Sequence, residues 1–74
     1  MIESDRKRLM SERITDLRKA RKWNRVTAGN ECCISARAYT DAELAVYWPN
    51  TKTLVRICAG LNATPNYLLG FDNE

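Results

Sequence analysis

The strongest constraint on this chain is its punctuation. Apolar residues recur at helical spacing in five short stretches, and every stretch after the first is entered through one small polar residue suited to cap a helix: Asn24, Ser35, Asn50 and Thr64. No segment alternates with the period of two that a half-buried strand needs. The sequence therefore predicts an all-α chain of five short helices, without internal repeats or low-complexity linkers. With 74 residues, there is room for one core and no second domain.

Ile14, Leu17 and Ala20 set the spacing of the first helix, and Leu9 with Met10 carries it back towards Ser4. Either Ser4 or Ser11 caps it, so residues 1–12 are a helical extension or a basic arm, and the helix runs to Lys22. The second helix is expected from Arg25 to about Cys32, and the third from Ala36 to about Glu43 or Leu44. Pro49 disfavours helical geometry at Trp48, which places a loop before Asn50. Leu54, Val55, Ile57, Cys58 and Leu61 form the fourth helix, with Gly60 and Asn62 marking its end. Pro65 opens the fifth helix at its first position, and Tyr67, Leu68 and Leu69 complete it before Gly70. The folded domain is expected over residues 13–70, with a short tail at 71–74.

The composition excludes much chemistry. The chain has no histidine, hence neither the commonest general base nor the commonest zinc ligand. Cys32, Cys33 and Cys58 are odd in number, and two are adjacent, so they suit neither a paired disulfide framework nor a zinc site. They are expected as reduced core residues, with a redox-sensing thiol as the alternative. No enzyme activity, metal or cofactor is expected. The apolar runs are too short for a membrane span, and the first residues lack the apolar stretch of a secretory signal, so a cytoplasmic location is expected.

Charge is unevenly placed. Residues 1–25 hold nine basic side chains against four acidic ones, or +5, while the rest of the chain holds three against five, or −2. Within residues 25–42 the pattern suits a helix-turn-helix. Gly29 lies where two helices would cross, and Ala28, Cys32, Ile34, Tyr39 and Ala42 turn inward. Ser35, Ala36, Arg37, Thr40 and Asp41 then face outward, where the third helix could meet base edges in a major groove. Arg37 suits a bidentate contact with guanine, Asp41 a cytosine amino group, and Ala36 a thymine methyl. For Arg37 the position favours contact over a solvated arginine on a helix face, whereas Ala36, Thr40 and Asp41 are weaker candidates that could equally be inert. Arg6, Lys7, Arg8, Asn24, Arg25 and Lys52 are candidates for phosphate. Arg13, Lys19 and Arg21 fit an ordinary charged face better, and Trp23 fits a core anchor.

The segment Arg13-Ile-Thr-Asp-Leu-Arg-Lys-Ala-Arg-Lys-Trp23, the stretch from Asn50 to Leu61 and the ending Asn66-Tyr-Leu-Leu-Gly70 resemble the Cro and phage-repressor (XRE) type of DNA-binding domain. The likeness runs from Arg13 to Gly70 without a gap. It implies a five-helix, lambda-repressor-like helix-turn-helix fold, and a transcriptional regulator of phage or bacterial type. Such a protein binds double-stranded DNA as a homodimer on an inverted repeat, most often to repress. It also implies a buried ion pair between Arg18 and Glu43, the positions matching the family's pair. Three departures stand out. Cys33 occupies a turn position where the family usually has Gly, which implies strain at a positive φ or a shifted turn. Arg25 replaces a phosphate-binding Gln. The family's polar loop is Val46-Tyr47-Trp48 here, better suited to a protein surface than to phosphate. Tyr47, Trp48 and Phe71 are therefore candidates for a dimer or partner surface. The alternative function is a protein-interaction module of the same fold, antirepressor-like or antitoxin-like, acting through this loop.

Overall fold

The computed structural model describes residues 3–73, which form five α-helices and no strand. They are α1 (Glu3–Ala20), α2 (Arg25–Glu31), α3 (Ala36–Glu43), α4 (Thr51–Leu61) and α5 (Pro65–Leu69), followed by a 3-10 turn at Phe71–Asn73. Residues 3–12 belong to one continuous first helix, so Ser4 and Ser11 both lie inside it and neither caps it. The four later helices open as their sequence implies. Asn24, Ser35, Asn50 and Thr64 hold extended backbone, and their side-chain oxygens accept from the N–H groups of Thr27, Ala38, Thr53 and Tyr67 at 2.8–3.1 Å.

The helices also close in a shared way. A residue in the left-handed region follows each: Lys22 (φ 59°), Cys33 (59°), Ala45 (54°), Asn62 (55°) and Gly70 (84°). At the first four, paired N–H groups fold back onto the last turn. For α2 these are Cys33 N–H to Asn30 O at 3.1 Å and Ile34 N–H to Gly29 O at 3.0 Å. For α3 they are Ala45 N–H to Ala42 O at 3.1 Å and Val46 N–H to Asp41 O at 3.1 Å. This double closure satisfies carbonyls that a helix end otherwise leaves open. It ends α1 at Ala20, because Lys22 has left helical geometry. At Cys33 the turn keeps its register, and the cysteine takes the positive φ at a cost of about 1 kcal/mol relative to glycine. Cys33 is accordingly exposed in the turn rather than part of the core, while Cys32 and Cys58 are buried; all three are free thiols.

The core is a single cluster fed by every helix. Met10 and Ile14 of α1, Ala28 and Cys32 at α2, Tyr39 and Ala42 of α3, Ile57, Cys58 and Leu61 of α4, and Leu68 of α5 are all buried. Leu17, Trp23, Ile34, Trp48 and Leu54 pack against them from partly buried positions. Val55 lies on the opposite face of α4 from this seam and is exposed. Gly60 does not terminate α4. It sits within the helix, where a Cβ would fall 2.5 Å from Cys32 Sγ and 2.8 Å from Cys32 Cα. The missing side chain is what lets α4 approach the end of α2.

Two outcomes test these points. Gly60→Ala drives a methyl into backbone that cannot yield and should destabilise by about 1–3 kcal/mol, read by urea unfolding. Cys33→Gly should do the reverse, stabilising by about 0.5–1 kcal/mol and raising the thermal midpoint by several degrees.

Candidate nucleic-acid interface

The α2–α3 joint is tight because both helices are narrow where they meet. A Cβ on Gly29 would lie 3.2 Å from both Ala36 Cα and Ile34 O, closer than ordinary van der Waals contact, so the backbone of the turn and of α3 would have to shift by a few tenths of an ångström. Ile34 is half-buried between the two helices, and Ser35 restarts the chain as the cap of α3. Alanine at position 36 is half-buried for the same reason, since its backbone rests against α2.

The inner end of α3 is clamped by one carboxylate. Glu43 is fully buried and accepts four hydrogen bonds from three side chains. Arg18 of α1 donates through Nε to Oε1 at 2.6 Å and through Nη2 to Oε2 at 3.5 Å. Arg25 of α2 donates through Nε to Oε2 at 2.6 Å, and Tyr39 of α3 through its hydroxyl to Oε1 at 2.9 Å. Arg18 also donates to Trp23 O at 2.8 Å, which fixes the α1–α2 connection. Burial pushes the Glu43 carboxyl up, but the hydrogen bonds from Arg18, Arg25 and Tyr39 outweigh it and hold the group below the ordinary carboxylate range. The bond to Glu43 raises Arg18, and burial followed by the same carboxylate raises Tyr39. The tyrosine's part is legible only as an i, i+4 spacing from Glu43 on one helix, a signal too common to single out.

The outer face of α3 carries the candidate base-reading residues. Arg37 is exposed and has no hydrogen-bond or ion-pair partner among the described residues. Ser35 is exposed, with its hydroxyl already accepting from Ala38 N–H at 3.0 Å. Thr40 is half-exposed. Asp41, one helical turn after Arg37, is half-exposed and accepts through Oδ2 from the Tyr47 hydroxyl at 3.2 Å.

The candidate phosphate contacts are more dispersed. Lys52 is exposed at the start of α4, and Asn24 is exposed beside Arg25. Arg25 keeps 44% of its side chain exposed although its Nε is held by Glu43. Arg8 pairs with Asp5 at 3.1 Å, and Lys7 lies 5.7 Å above the Trp48 ring. Arg6 donates to Leu69 O at 3.1 Å and stacks 4.1 Å from the Phe71 ring centre. Arg13 bonds Asp72 at 2.6 Å and Tyr67 O, and covers the Tyr67 ring. Arg21 donates to Leu61 O at 2.6 Å, and Arg56 to Cys33 O at 3.3 Å. The N-terminal cations thus fasten α1 to α4, α5 and the chain's last turn.

Tyr47 is exposed, Trp48 packs against the core, and Phe71 is held under Arg6 near the end of α5. Burial raises the Cys32 thiol to about 11 and also raises Cys58, so neither is a thiolate near neutrality. Among the described residues, no cluster of three or more Cys, Asp or Glu could hold a metal ion, and no helix is long and apolar enough to cross a membrane. Comparison with protein-family models, curated proteins and solved structures gives no match, so function is argued from these residues.

The clamp has a pH signature. A carboxyl depressed in the folded state stabilises fully above its unfolded pKa, about 4, and loses that contribution as the pH falls through the depressed value. Glu43→Gln should therefore cost about 3 kcal/mol at pH 7 and much less near pH 2. Urea titrations across that range should show a flatter acid limb than the parent protein.

Proposed function

We propose that this chain is a sequence-specific DNA-binding transcriptional regulator without catalytic activity, most simply a repressor. In this reading α2 and α3 form a helix-turn-helix. The observation that supports it best is the contrast between the two faces of α3. Its inner face is pinned by the Glu43 carboxylate and by the glycine contact with α2, while its outer face presents Arg37, which has no partner among the described residues. A rigid helix that holds a free arginine outward near its N-terminal end suits base-edge recognition in the major groove. Asn24, Arg25 and Lys52 flank that helix and would supply phosphate contacts. Two copies bound with their third helices about 34 Å apart would read an inverted repeat.

The dispersal of the N-terminal cations limits the electrostatic share of binding. Arg6, Arg8 and Arg13 have partners within the chain, so the affinity loss with salt should reflect a few phosphate contacts per copy, not all nine basic groups of residues 1–25.

A second reading, a protein-interaction module of the same architecture, is favoured by a separate observation. Leu44, Val46 and Tyr47 are 53%, 60% and 56% exposed just after α3, and no basic residue lies between Leu44 and Thr51. An apolar surface of this kind is poorly matched to phosphate and well matched to another protein.

The deciding experiment is selection of bound sites from random duplex DNA, followed by titration of the enriched site. An inverted-repeat consensus is expected, and Arg37→Ala should weaken binding to it by about 1–3 kcal/mol with relaxed preference at one position of each half-site. Absence of any enriched site would overturn the proposal.

A further inference from the structure

We propose that Tyr47, in the loop after α3, is a positioning residue for Asp41, and that the pair together sets base preference at one position of the half-site; this rests on the DNA-binding reading above. Three observations place the tyrosine. Ala45 takes a positive φ of 54°, and Val46 N–H returns to Asp41 O at 3.1 Å, so the loop doubles back along the end of α3. That path brings the Tyr47 hydroxyl to 3.2 Å from Asp41 Oδ2. Tyr47 lines a cleft of about 210 Å³ together with Ala38, Ala42, Pro49, Asn50 and Thr53. With 56% of Tyr47 exposed, its hydrogen bond to Asp41 is the specific polar feature that holds it in this orientation.

The consequence for recognition follows from counting acceptors. Tyr47 takes one of the acceptor sites on Oδ2, and Oδ1 has no hydrogen-bond partner among the described residues. The bond limits rotation of the carboxylate and leaves Oδ1 open to accept. An oriented acceptor on the outer face of α3 suits an exocyclic amino group at a base edge, the donor that cytosine or adenine offers in the major groove. It opposes a carbonyl oxygen at the same place, because two acceptors repel. Tyr47 would lower the ordering cost of that choice without touching DNA.

The test is the base preference of the parent protein, Tyr47→Phe, Asp41→Ala and the double variant, each measured by selection from random duplexes and by titration on single-base variants of the enriched site. The parent should prefer an amino-bearing base at one half-site position. Tyr47→Phe removes one exposed oxygen and should reduce that preference about three- to tenfold, with non-specific binding unchanged. Asp41→Ala should abolish it, and adding Tyr47→Phe to Asp41→Ala should change nothing further. A Tyr47→Phe profile indistinguishable from the parent's overturns this inference and leaves DNA binding intact. A uniform loss of affinity at every position also overturns it, since that marks a structural role. If the parent enriches no site, the DNA-binding reading falls and this inference with it.

Discussion

A buried carboxylate is costly unless every oxygen lone pair it presents is met, and Glu43 sits fully inside the protein. Its partners come from three helices: Arg18 from α1, Arg25 from α2 and Tyr39 from α3. Because the charge is tolerable only when these groups converge, the relative placement of the first three helices is tied to one side chain. Arg18 extends the tie by bonding Trp23 O in the connection between α1 and α2. The outward presentation of Arg37 depends on the same clamp, since α3 cannot roll about its axis without withdrawing Glu43 from its donors.

Short helices need such help. Segments of five to eight residues such as α2, α3 and α5 are far below the length at which an isolated helix is stable in water. Their existence depends on packing and on closed ends. Four capping side chains serve the starts, and left-handed residues serve the ends. Three of those left-handed positions hold Lys22, Cys33 and Ala45 instead of glycine or asparagine, so backbone strain is accepted where the chain must turn sharply. At Ala45 the strained turn also directs the apolar loop back along α3, which places Tyr47 beside Asp41.

The charge distribution has a different meaning once folded. In the sequence, the basic first third looks like a phosphate-binding region. In the fold, Arg6, Arg13 and Arg21 donate to carbonyl oxygens of Leu69, Tyr67 and Leu61, and so serve to hold the C-terminal helices to α1. The arginines placed at helix C-terminal carbonyls also meet the negative end of the helix dipole. The exposed cations without a hydrogen-bond or ion-pair partner among the described residues include Lys19, Lys22, Arg37 and Lys52.

Local chemistry determined much of this protein from the sequence alone. Helix number, the four caps, the loop at Pro49 and most of the core are legible because they depend on neighbours within about one helical turn or on simple apolar periodicity. The positive φ at Cys33 is also foreseeable as one of two outcomes, because the turn demands it of whichever residue stands there. Only the tertiary structure decided the rest: Gly60 as a crossing point with Cys32, Arg25 on Glu43, Tyr47 on Asp41, and Arg6 and Arg13 on the last turn of α5. Each joins groups whose meeting depends on how helices or loops are placed in space. A side chain's spacing tells which face of its own helix it occupies, but not which group from elsewhere arrives there to take its hydrogen bond.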